Sequence, residues 1–163
     1  MTPIELMNAL ESFIKEQVKD ICLAYRSKED LEGQCRAPGV YKMKLPDKES
    51  ETKLVPYVLL QFLTGKDAQA TGQTVESECK VRLVIVTYSE DGGIGAYDLL
   101  NVITRIRTTL LKAGMIADQF LLKLESPLEY IIYPDDTDPY HMGEMMTTWE
   151  LPAVEREIRE VWQ

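Results

Sequence analysis

The sequence predicts an α+β fold: an antiparallel or mixed β-sheet with two long helices packed on one face. Three observations carry that prediction. Two segments place apolar residues in steps of three and four, the period of a helix with one buried face. Most other apolar residues fall into short runs of alternating or continuous hydrophobicity, as strands do. These runs come in consecutive groups between and after the helical segments, an order that favours helices gathered on a sheet. With 163 residues, 45% of them apolar, the chain is of a size for one domain.

The first helix is predicted over 3–25. Its stripe is Ile4, Met7, Leu10, Ile14, Val18, Ile21 and Tyr25. Thr2 reads as the N-cap, Pro3 as the first helical residue, and Glu5 as the partner that closes a capping box. Residues 27–33 end the helix. Tyr41, Met43 and Leu45 alternate with Lys42 and Lys44 as a short strand, and residues 46–51 form a charged loop. Residues 55–63 are almost continuously apolar, which reads as a strand buried on both faces; periodicity alone leaves helix open there. Residues 64–77 are small and polar with Gly65 and Gly72 near the ends, and are expected to be a long, mobile, functional loop.

A central strand follows over 78–88, with Cys79, Val81, Leu83, Ile85 and Thr87 on one side. Residues 89–95 read as a turn. The second helix carries Ala96, Leu99, Leu100, Ile103, Ile106 and Leu110, with Gly114 as its stop. Leu99, Ile103 and Ile106 are expected in the core beneath the central strands. Strands over 120–125 and 128–133 are separated by Ser126 and Pro127, and an acidic loop over 134–143 precedes a last strand, 145–151, stopped by Pro152. Residues 153–163 form a short helix or an arm. The organisation is thus one domain: helix 3–25, a sheet and helix body over 40–152, and the terminal segment.

The formal charge is −9 and the pI near 4.7. That balance argues against a surface built to grip nucleic acid or anionic lipid, which needs clustered Lys and Arg. No apolar run approaches the ~20 residues that span a bilayer. The N-terminal residues lack the basic and apolar regions of a secretory signal, so the expectation is a chain that begins here and stays in the cytosol. Cys22, Cys35 and Cys79 are odd in number and widely spaced, and are expected as reduced thiols, with Cys22 on the apolar face of the first helix.

The candidate chemistry is sparse. Gly92-Gly93-Ile94-Gly95 sits where a phosphate loop would sit, but the spacing fits neither the dinucleotide nor the nucleotide-triphosphate pattern, and Asp91 and Asp98 would repel phosphate. Asp135, Asp136, Asp138, His141 and Glu144 form the densest ligand-capable cluster, which a divalent cation would use only if the backbone gathered it; Pro139 stands where a calcium loop needs glycine. With one histidine, no nucleophile motif is complete, and Glu125 and Glu129 have no feature that would bury one of them. The expectation is no catalytic, cofactor or metal residue and no enzymatic activity. Trp149 reads as core, whereas Trp162 reads equally as core or as an anchor for a partner.

The run Val84-Ile85-Val86-Thr87-Tyr88-Ser89, the acidic glycine-containing turn, and Tyr97-Asp98-Leu99-Leu100-Asn101-Val102-Ile103-Thr104-Arg105-Ile106-Arg107 together resemble the tail terminator and tail-completion proteins of long-tailed bacteriophages. Trp149-Glu150-Leu151-Pro152-Ala153-Val154-Glu155 is similar to the closing strand of that group. The resemblance covers about residues 55–155. It implies a sheet backed by helices and a homo-oligomeric ring, commonly a hexamer, in the virion tail after assembly in the host cytoplasm. Its implied partners are the tail tube protein and the head–tail connector, with DNA passing through the ring but no specific nucleic-acid binding and no membrane. Two alternatives stay open: another adaptor of the head–tail neck, and a metal-dependent enzyme or small-ligand domain using Asp135, Asp136, Asp138 and His141.

Overall fold

Capping chemistry sets the first helix. The Thr2 hydroxyl accepts a hydrogen bond from the Glu5 amide (3.3 Å), and the Thr2 amide donates to the Glu5 carboxylate (2.5 Å). This reciprocal pair satisfies two otherwise orphan donors. In the computed structural model, which describes residues 2–26, 34–46, 54–134 and 138–155, this helix (α1) runs Pro3–Val18 and buries Leu6, Met7, Leu10, Ile14 and Val18.

The helix stops at Val18 rather than at residue 25. Beyond it the side chains alternate as in a strand: Cys22 is exposed, Leu23 buried, Ala24 exposed. Leu23–Ala24 (β1) pairs antiparallel with Cys35–Arg36 (β2) as a separate two-stranded sheet. Ile21 and Tyr25 continue the helical spacing by coincidence. This pairing brings Cys22 within 5.2 Å, Cα to Cα, of Cys35, and the two form a disulfide. The expectation of three reduced thiols is therefore corrected, as is the place of Cys22 on the helix. Cys79 is free and buried.

The main sheet is mixed and curled. It contains Gly39–Lys42 (β3), Tyr57–Ala68 (β4), Glu76–Tyr88 (β5), Met115–Ile116 (β6), Phe120–Lys123 (β7), Glu129–Ile132 (β8) and Tyr140–Leu151 (β9). The spatial order is β3-β4-β5-β9-β7-β6, and β8 also pairs with β9. Among the described residues only β3 and β4 are parallel neighbours. β7 and β8 do not pair with each other. They lie in line along one edge of β9, at Leu121–Lys123 opposite residues 148–150 and at Glu129–Ile132 opposite residues 143–146. The stretch between them, with Ser126 and Pro127, bridges the gap.

The second helix (α2) runs Gly92–Ala113. Its start corrects the expected turn over 89–95: Asp91 is the N-cap, accepting from the Gly93 (3.0 Å) and Ile94 (3.2 Å) amides. Gly114, at φ 65°, closes the other end, as its lack of a Cβ permits.

The largest correction concerns residues 64–77. Strand pairing continues through Thr64↔Lys80, Asp67↔Ser77 and Ala68↔Glu76, so β4 and β5 form a long hairpin arm joined by residues 69–75. Ser77 Oγ donates to Asp67 Oδ1 across the arm (2.6 Å). Residues 63–68 are exposed throughout, so no apolar alternation marks this half-strand, and backbone pairing alone defines it. Likewise β9 starts at Tyr140, which takes the end of the expected acidic loop into the sheet.

One core unites α1, α2 and the sheet. Val58 and Leu60, then Cys79, Val81, Leu83 and Ile85, then Met145 and Trp149 meet Leu10 and Ile14 of α1 and Leu99, Ile103 and Ile106 of α2. The expected core role of these three α2 residues is borne out, since none exposes any surface. Trp149 is fully buried too, its indole N–H donating to Thr147 Oγ (2.8 Å). A further cluster takes Tyr57 and Leu59 of β4 and Val86 of β5, with Val55 just ahead of β4. Arg36 Nη2 ties the small β1–β2 sheet beside it by donating to the Val55 carbonyl (2.7 Å).

Candidate functional site

Strand alternation decides the fate of the acidic cluster. His141 lies on β9 with the parity of Met145 and Trp149, whereas Glu144 has the opposite parity and faces away. On that other face Glu144 lies 3.5 Å from Arg82, and its hydrogen bond with the Tyr133 hydroxyl holds that phenol above its usual pKa. Asp138 approaches His141 (Oδ1 to Nε2, 3.4 Å), while Asp135 and Asp136 lie outside the described residues. Among the described residues no group of three or more His, Cys, Asp or Glu is gathered as a metal would require.

The His141 ring instead wedges against the first turn of α2. A Cβ added at Gly95 would collide with the ring and with Ser89, so this position has room only for glycine. Thr87 Oγ donates to the Gly95 carbonyl (3.3 Å), fixing the close approach. His141 Nε2 is buried and makes no hydrogen bond with the described residues. Asp98 stands near enough to feel it: burial pushes its carboxyl up, and the His141 charge pulls it the other way. The four-residue glycine run is thus a helix start packed on a ring, with two carboxylates nearby, and offers nothing to a phosphate. Burial pushes the Cys79 thiol to about 11, which leaves it protonated and inert.

The opposite face carries paired charge in place of reactive groups. Arg82 donates to Gln61 Oε1 through Nε (3.0 Å) and Nη2 (2.6 Å) and reaches Glu144, linking three strands. Lys123 holds Glu78 at 3.1 Å, and that contact raises the lysine. Glu125 and Glu129 are both exposed.

Exposed apolar surface lies at the two ends of the sheet, and also on α2 at Ile94 and Tyr97. At the β3 end a groove of about 340 Å³ is lined by Pro3, Ile4, Met7, Met43 and Phe62, with Lys42 at its margin. Ile4 is 72% exposed. At the β8 end Tyr130 and Ile131 are about half exposed, with the Arg107 guanidinium 5.8 Å over the Tyr130 ring. Neither surface is legible in the sequence. The groove combines residues far apart in the chain, and the β8 surface has the pattern of an ordinary strand. The hairpin has one available signal, Gly72 at φ 77° midway between two polar stretches of similar length. Trp162 lies outside the described residues. Among the described residues no helix is long and apolar enough to cross a membrane. No protein-family model matches this chain, and no curated protein sequence matches it.

Proposed function

We propose that this chain is a virion assembly protein of the tail-terminator kind. Its copies form a ring, commonly of six, that caps the tail tube and provides the joint to the head connector; it performs no chemistry. The observation that carries the reading is a shared core. The segments that resemble that family are the end of β5 (84–89), residues 97–107 of α2, and the end of β9 from Trp149, and their inward residues Ile85, Leu99, Ile103 and Trp149 all belong to the one core. A resemblance scattered over unrelated surfaces would carry less weight.

We also infer that the two helices lie on the same face of the sheet, as such a ring subunit requires. Their buried residues share one core with the inward residues of β4, β5 and β9. The exposed hairpin arm supports the reading as well, since it offers backbone and polar side chains for contact with a stacked ring. A net charge of −9 suits a channel wall past which DNA slides without adhering.

The test is assembly. Sedimentation of the purified chain across concentrations, with and without tail-tube protein, is expected to give rings and capped tubes of limited length in electron micrographs. A strict dimer at every concentration, with no ring even beside tube protein, refutes the proposal. Rings that bind the connector but leave tubes uncapped would assign the chain to the neck.

A further inference from the structure

Resting on that ring reading, we infer which surfaces join one copy to the next: β8 of one copy runs beside the uncovered half of β4 of its neighbour, and Tyr130 seats in the groove at Ile4. The first half of this joint follows from where β3 stops. β3 covers β4 only along Tyr57–Leu60, whereas β4 continues to Ala68. The Met43 amide makes a last bond to the Leu60 carbonyl (2.6 Å), and φ of 65° at Met43 turns the chain away. Among the described residues no strand pairs with β4 on that side beyond this point. An open strand edge of this length is a template for another strand. The apolar groove lies directly beside it, between the start of α1 and Phe62.

The other half lies at the far end of the same sheet. β8 pairs with β9 on one side, and among the described residues its other edge is open. Tyr130 and Ile132 have the same parity, and Ile132 packs on the core shared with the helices. Arg107 of α2 stacks over Tyr130, so the Tyr130 ring lies on the helix-bearing side. The groove, bounded by α1, is on that side as well. Continuing the sheet from one copy to the next therefore puts an aromatic anchor level with an apolar groove. The flanking charges agree: Lys44 and Lys66 are exposed along the β4 edge, and Glu125 and Glu129 are exposed around β8.

The occupant is a second copy because both halves belong to one chain and face opposite ways. Such a contact is heterologous: every copy offers one half and accepts the other, and the series closes into a ring when the rotation permits.

Two exposed positions test it: Ile4→Glu spoils the groove and Tyr130→Glu spoils the anchor. Sedimentation of the full chain is expected to give rings for the unaltered protein and monomer for either variant alone. An equimolar mixture of the two variants can form one good joint and no more, so it should stop at a dimer. Circular dichroism and melting confirm that each variant is folded. If one is not, Lys66→Glu replaces it, with loss of rings expected, and rings regained when Glu129→Lys is added to the same chain. Rings from either single variant place the joint elsewhere and overturn the inference while the ring reading stands. A mixture that stays monomeric shows that these edges do not meet, and also overturns it. Unaltered protein that forms no ring at any concentration, nor beside tube protein, overturns both.

Discussion

Leu99→Ala is the substitution on which the description of α2 depends. Leu99 exposes no surface and sits in the core with Ile103, Ile106 and the inward residues of β5 and β9. Truncation removes roughly three methyl or methylene groups, about 2.4 kcal/mol of transfer energy at ~0.8 kcal/mol each. The residual cavity adds to this because a site walled by sheet and helix relaxes poorly, so the expected cost is ~3–5 kcal/mol. The neighbouring Leu100 is 38% exposed, and its truncation should cost under ~1 kcal/mol. Urea denaturation reads both, as a shift of midpoint at unchanged slope. In a chain of this size the Leu99 variant should melt roughly 6–20 °C lower, at about 2–4 °C per kcal/mol. A Leu99 loss below ~1 kcal/mol, or equal losses at both positions, would refute the assignment of the buried face. The helix would then present that face to a partner.

The Cys22–Cys35 bond closes a loop with a sequence separation of 13, for which chain entropy predicts ~3 kcal/mol of stabilisation. Urea midpoints with and without reductant should differ accordingly, and identical midpoints would mean that the pair is not closed in solution. Asp98→Asn should raise stability at pH 7. Burial raises the carboxyl above its unfolded value, so the folded state favours the protonated form, and that contribution is lost as pH rises through the folded pKa. The gain over the unaltered protein should shrink as pH falls towards ~4; a variant less stable at pH 7 would contradict the sign.

The sequence was informative wherever a side chain had to face the core. Cys79, Val81, Leu83 and Ile85 share a face as their alternation predicts, and Leu99, Ile103 and Ile106 form the buried stripe of α2. Caps were equally legible, because Thr2, Glu5 and Gly114 act through local backbone geometry. What escaped lacked a local signal. The β4 half of the hairpin arm is exposed throughout, so it carries no hydrophobic period even though Thr64–Ala68 pairs with β5 along one edge. The Cys22–Cys35 bond depends on a two-residue pairing that no spacing rule encodes. The acidic cluster failed for the converse reason. Five ligand-type residues are close in sequence, but a strand sends His141 and Glu144 to opposite faces. The groove exists only once Ile4, Met43 and Phe62 have been brought together by three different parts of the chain.

The charge of the chain bears on how a ring of such copies would hold together. Each copy carries a formal −9, so adding copies to one assembly accumulates repulsion that solvent ions screen beyond ~8–10 Å. Ion pairs within the chain do not relieve it. Lys123 is spent on Glu78, Arg82 on Glu144 and Gln61, and Lys42 on Glu11, which that lysine holds below the usual carboxylate range. The attraction between copies must therefore come mainly from apolar surface and strand pairing, which salt weakens little. That is the kind of surface left at the two ends of the sheet, with only Lys44 and Lys66 against Glu125 and Glu129 to set the register. On the ring reading proposed above, an assembly held this way against its own charge would gain further stability by mass action and by contact with the structure it would cap. Free subunits would then stay apart at low concentration and close into a ring where the tube end supplies a template.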